Sequence, residues 1–119
     1  MLLALLFGAA ACEDEVPPVG GPGTLTFSVV SPNGPEGAMI AQLVGAGIVE
    51  VSGLDGRLFE YRDGDTVRVM VVREDAGLLR FTVQLDDTLD LPRVDLVEVA
   101  DSDNVLRADL ASYRVEVVR

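Results

Sequence analysis

Polar and apolar residues alternate along most of this chain. Thr24-Leu-Thr-Phe-Ser-Val29 switches sides at every position, as a strand with one buried face does. Residues 65–71 place Val67, Val69 and Val71 on one face and Arg68 and Met70 on the other. In residues 78–85, Leu79, Phe81, Val83 and Leu85 take the inward positions and Arg80, Thr82 and Gln84 the outward ones. Tyr113, Val115 and Val117 alternate with Arg114, Glu116 and Val118. Shorter strand candidates are residues 38–44, 48–52, 57–61 and 94–99; in the last, the apolar parity slips between Leu96 and Val97, which predicts a bulge or burial on both faces.

Turn signals separate these runs: Pro32-Asn-Gly-Pro35, Gly45-Ala-Gly47, Asp55-Gly56, Asp63-Gly64 and Ala76-Gly77. Glycine, and to a lesser degree Asn and Asp, accepts the positive φ that tight turns demand. Residues 104–111 are the one stretch with helical character. About eight short strands, with no helix-length segment between them, predict an all-β fold, an antiparallel β-sandwich of jelly-roll or immunoglobulin-like type.

The first residues follow a different pattern. Leu2 to Ala11 is almost wholly apolar, and it ends at Cys12, the only cysteine. At about ten residues it is roughly half of the ~20 needed to cross a bilayer as a helix, and it fits the apolar core of a secretory signal. Ala9-Ala10-Ala11-Cys12 resembles the cleavage site of bacterial lipoproteins, although Ala9 stands where that family prefers Leu and no Lys or Arg precedes the apolar run. The resemblance implies cleavage before Cys12 and lipidation of its sulfur and amine, hence a protein held at a membrane of the bacterial cell envelope. An ordinary signal peptide cut near Ala11, or a buried N-terminal helix with a core cysteine, are the other readings. The Pro/Gly-rich residues 16–23 read as an extended tether. The expected organisation is a signal over residues 1–11, a lipidated cysteine and tether over 12–23, and one folded domain over 24–119.

Within that domain, residues 45–51, Gly56-Arg-Leu-Phe59, residues 65–73 and Gly77-Leu-Leu-Arg-Phe-Thr-Val83 succeed one another in an order that resembles a cohesin-type sandwich. Carbohydrate-binding modules and immunoglobulin-like domains are related sandwiches. The resemblance implies a non-catalytic domain that presents a sheet face to a protein or glycan partner.

Charge narrows the partners. Twenty acidic residues against nine basic ones, all arginine, give a net charge of −11, which repels nucleic acid and anionic lipid head groups. The 119-residue chain has no His and no Lys, and its single Cys lies ahead of the domain. A histidine-based triad, a histidine-held metal, a thiol nucleophile and Schiff-base chemistry therefore lack their side chains. A carboxylate pair could in principle hydrolyse glycosides. Aromatics make up only 5% of the chain, without Trp, and a domain this small has little room for a deep cleft. No catalytic residues are expected.

Three clusters could bind something. Asp101, Asp103 and Asn104 offer three oxygen-bearing side chains in four residues, enough to contribute to a Ca²⁺ site, but equally the makings of a solvated turn. Asp86, Asp87 and Asp90 form a second acidic loop with the same two readings. Phe59 and Tyr61 share a strand face and could stack on a sugar ring, or else belong to the core or its rim. Arg57, Arg62, Arg68, Arg73 and Arg80 are expected to pair with carboxylates across strands.

Overall fold

The structure, a computed structural model, describes residues 20–119; the expected signal segment, Cys12 and most of the expected tether lie outside the described residues. Eight strands follow in order: β1 (Gly23–Val30), β2 (Glu36–Val44), β3 (Ile48–Gly53), β4 (Arg57–Asp63), β5 (Thr66–Gly77), β6 (Leu79–Leu85), β7 (Arg93–Ala100) and β8 (Arg114–Val118). They form two four-stranded antiparallel sheets, β3-β6-β1-β8 and β4-β5-β2-β7, which make a β-sandwich.

The period-two pattern supplies its core. Leu25, Phe27 and Val29 from β1, Leu79, Phe81, Val83 and Leu85 from β6, and Val51 from β3 meet Met39, Ala41 and Leu43 from β2, Val67, Val69 and Val71 from β5, and Val99 from β7. Phe27 and Phe81 are direct cross-strand partners, with ring centroids 5.5 Å apart and planes at 23°. Each such side chain contributes about 1.5–3 kcal/mol by leaving water.

Within the described residues, only β4 and β5 are joined as neighbours in one sheet. Asp63 pairs with Thr66, leaving Gly64-Asp65 as a two-residue loop, and Gly64 has φ 61. That left-handed value suits glycine, and it places the turn one residue later than the Asp63-Gly64 signal suggests. Every other connection crosses between sheets.

The β5–β6 crossing departs from expectation. Ala76-Gly77 reads as a turn in the sequence, yet β5 continues to Gly77 and only Leu78 separates it from β6. Arg73 binds this corner together: its Nε donates to the Asp75 carbonyl at 2.8 Å and its Nη1 to the Leu78 carbonyl at 2.9 Å. The slip of parity in β7 is a bulge, as expected. Ile40 pairs with Glu98 and Ala41 with Leu96, so Val97 has no partner on β2.

Residues 104–111 are not helical. The segment between β7 and β8 is a loop tied back by an isolated bridge between Ala100 and Leu106. Asp101 Oδ1 accepts from the backbone N–H of Asp103 (2.9 Å) and of Val105 (3.0 Å), and Asn104 takes φ 65. The Asp101 side chain holds the Asp103 and Val105 N–H groups in a turn, and the left-handed Asn104 between them breaks the helical backbone there.

Candidate functional site

The outer face of the β4-β5-β2-β7 sheet carries the sequence-derived aromatic pair. Register sets Phe59, Met70, Ile40 and Glu98 in one row across the four strands, and Tyr61, Arg68, Gln42 and Asp95 in the next. Directly paired residues share a face, and the inward neighbours Met39, Ala41, Val69 and Val71 are fully buried, so both rows point away from the core. Phe59 is 48% exposed, Tyr61 70% and Met70 39%. The aromatic pair thus lies outside the core, on an edge strand of its sheet.

Two shallow hollows adjoin on this face and share Ile40 and Met70. One, of about 170 Å³, is walled by Phe59, Tyr61 and Arg68. The other, of about 130 Å³, is walled by Ala38, Glu98, Ala100 and Leu106. The Arg57 guanidinium lies 5.5 Å from the centre of the Phe59 ring, within cation–π range. Arg68 Nη2 donates to Gln42 Oε1 at 3.1 Å.

The arginines divide in a way the sequence does not announce. Arg80 grips Asp55 by donating from Nε to Oδ2 and from Nη2 to Oδ1, and Arg73 approaches the same carboxylate at 4.0 Å. The Arg80 hydrogen bonds, opposed by partial burial and aided by the charges of Arg80 and Arg73, hold Asp55 below its ordinary pKa. Among the described residues, Arg57, Arg62 and Arg68 form no salt bridge, contrary to the expected cross-strand pairing. Arg62 instead reaches the Val49 carbonyl of the opposite sheet. The cause is positional: the Arg57 guanidinium lies by the Phe59 ring and Arg68 sits between Tyr61 and Gln42, with no carboxylate directly opposite either.

A buried polar cluster at one end of the sandwich was not legible from the sequence. Glu36, at the start of β2, is 1% exposed. Its Oε2 accepts from Ser31 Oγ at 2.6 Å and from the Tyr113 hydroxyl; its Oε1 accepts from Arg107 Nε at 3.1 Å and Nη2 at 3.0 Å. Asn33 Nδ2 donates to the Tyr113 oxygen at 2.9 Å. Burial pushes the Glu36 carboxyl up, but the hydrogen bonds from Ser31, Tyr113 and Arg107, with the Arg107 charge, outweigh it and hold the pKa below its ordinary value. Beside Glu36, a Cβ on Gly37 would meet the Asp101 carbonyl oxygen at 2.5 Å, so only glycine lets the β7–β8 loop pack this closely. A hollow of about 450 Å³ next to the cluster is lined by Ser28, Ser31, Pro35, Leu78 and Glu116. Since the Glu36 oxygens are already engaged, this cluster fastens the loop to the sandwich and leaves little to offer a ligand.

The acidic loops have visible local duties. Hydrogen bonds from the Val105 and Asp103 N–H groups, with the charge of Arg107, hold Asp101 below its ordinary pKa against partial desolvation. Asp103 and Asn104 are exposed in the same turn. Asp87 Oδ1 accepts from Leu89 N at 3.0 Å and Gly21 N at 3.3 Å, which joins that loop to the segment just ahead of β1. Among the described residues no three His, Cys, Asp or Glu side chains gather as a metal site. Compared with protein-family models, with curated proteins and with solved structures, the chain matches none.

Proposed function

We propose that this chain is a cell-envelope lipoprotein: Cys12 carries a lipid anchor, residues 13–23 form the tether, and the sandwich is a non-catalytic interaction domain. The observation that carries the interaction role is the outer face of β4-β5-β2-β7. There Phe59, Tyr61 and Met70 stay exposed in adjoining rows while the core is fully supplied by other residues. Adjoining large apolar side chains on a polar-rimmed face are a mark of binding surfaces. The anchor rests on Ala9-Ala10-Ala11-Cys12 and on the composition change that follows it. Two acyl chains give durable membrane attachment where one does not.

Detergent-phase partitioning of the full chain from a bacterial host, beside Cys12→Ser, tests the anchor. The wild type is expected in the detergent phase and the variant in the aqueous phase; an aqueous wild type would refute lipidation in that host. The exposed pair Phe59 and Tyr61 favours one second reading, a glycan-binding module. Binding to a glycan array that disappears in Phe59→Ala or Tyr61→Ala would establish it, and an inert array would dismiss it.

A further inference from the structure

We infer that the outer face of β4-β5-β2-β7 pairs with the same face of a second copy, forming a two-fold dimer. This rests on the proposed interaction role of that face and names its partner. The argument is one of charge and position. In a chain of net charge −11, the paired outward positions of this sheet carry three arginines, Arg57, Arg68 and Arg93, and three carboxylates, Asp63, Asp95 and Glu98. All six are exposed. The face is therefore neutral where the molecule as a whole is strongly acidic, so two copies repel each other least here.

The charges are also arranged to complement themselves. A two-fold axis lying between β5 and β2, parallel to the strands, sets β4 of one copy over β7 of the other and keeps every row in place. Asp63 then falls against the second copy's Arg93, Tyr61 against its Asp95, and Arg68 against its Gln42, one strand from that Asp95. Phe59 falls against Glu98, which lies one row from Arg57. Met70 and Ile40 of one copy meet Ile40 and Met70 of the other, so the exposed apolar centre covers itself. Asp63 gains a cationic neighbour and Asp95 a hydroxyl one, and no like charges are directly opposed. Sheets that pack face to face keep strand directions within about 30° and lie ~10 Å apart, a gap these side chains span.

Four strands at ~4.8 Å spacing and seven or so residues at ~3.3 Å rise give a face of roughly 15–20 by 25 Å. That is smaller than the ~800 Å² per partner of a standard interface, so the dimer is a weak one in free solution. Two copies confined to one membrane by lipid anchors would meet at a far higher effective concentration.

Sedimentation equilibrium of the full chain carrying Cys12→Ser, across a concentration series, tests the pairing. A reversible monomer–dimer equilibrium is expected. Arg68→Glu or Asp95→Arg alone should weaken it by about tenfold or more, and the double variant should return most of that loss, because the reversed pair attracts again. Met70→Asp should also weaken it. All of these positions are exposed, and an unchanged thermal melt will show that each variant is folded. A wild type that stays monomeric at every concentration overturns the dimer, as does a dimer indifferent to all three single substitutions. If the monomer instead binds a soluble polysaccharide and loses it on Phe59→Ala, the face belongs to a glycan. Detergent partitioning is read separately, so failure of the dimer leaves the anchored-domain reading standing, and loss of partitioning leaves the dimer standing.

Discussion

The Tyr113 hydroxyl donates to the Glu36 carboxylate inside the sandwich, across 77 residues of sequence. Tyr113 lies at the end of the β7–β8 loop and Glu36 at the head of β2, so this contact closes one end of the fold. Tyr113→Phe should lower stability by about 1–3 kcal/mol, the cost of removing one hydrogen bond from a buried charge. Denaturant unfolding monitored by circular dichroism will measure it. A loss below a few tenths of a kcal/mol would show that Ser31 and Arg107 hold the carboxylate unaided.

Acid should loosen the same end. The folded pKa of Glu36 lies below the ordinary value of 4.5, so the folded state takes up that proton less readily than the unfolded chain. Its contribution is present in full above about pH 4.5 and is lost as pH falls through the folded value. Asp55, also held down, acts in the same direction over a slightly lower window. Melting temperature is expected to be level from neutral pH to about 5 and to decline below about 4.5. Glu36→Gln should be less stable at neutral pH and decline less steeply. Parallel acid profiles for the two proteins would remove Glu36 from the account.

Aromatic residues on the two sides of the sheets should behave oppositely. Phe81 is fully buried against Phe27, and Phe81→Ala should cost about 3–5 kcal/mol. Phe59→Ala and Tyr61→Ala remove exposed rings and should alter stability by no more than about 0.5 kcal/mol. Thermal melts of the three variants decide the matter. A large loss at Phe59 would mean that its ring supports the fold.

Calcium offers a fourth test. If Asp101 serves to close its own loop, Asp101→Ala will lower the melting temperature with or without a chelator present. If Asp101, Asp103 and Asn104 hold an ion, calcium will raise the wild-type melting temperature and do nothing for an Asp101→Ala, Asp103→Ala variant. The two backbone hydrogen bonds accepted by Asp101 Oδ1 lead us to expect the first result.

The strands were legible because each inward position repeats at a period of two, and the bulge because Leu96 and Val97 break that period. The outward placement of Arg68, Arg80, Thr82 and Gln84 followed from the same parity. What escaped was whatever depends on contacts distant in sequence. Nothing near Glu36 marks it as buried; it is one of twenty acidic residues, and its partners lie five, 71 and 77 positions away. Residues 104–111 resemble a short helix only when Asp101 is ignored. The arginines looked alike in sequence, and only register distinguishes Arg80, which grips Asp55, from Arg68, which faces Tyr61 and Gln42.

The antiparallel pairing of β1 and β8 has a mechanical consequence. Thr26 lies opposite Val118, so the chain enters β1 and leaves β8 at the same end of the sandwich. Tension applied between residue 20 and residue 119 would open that pairing like a zipper, one rung after another, instead of loading its rungs together in shear. Pulled along that line the domain should be soft, with β8 peeling first because β1 is also paired with β6.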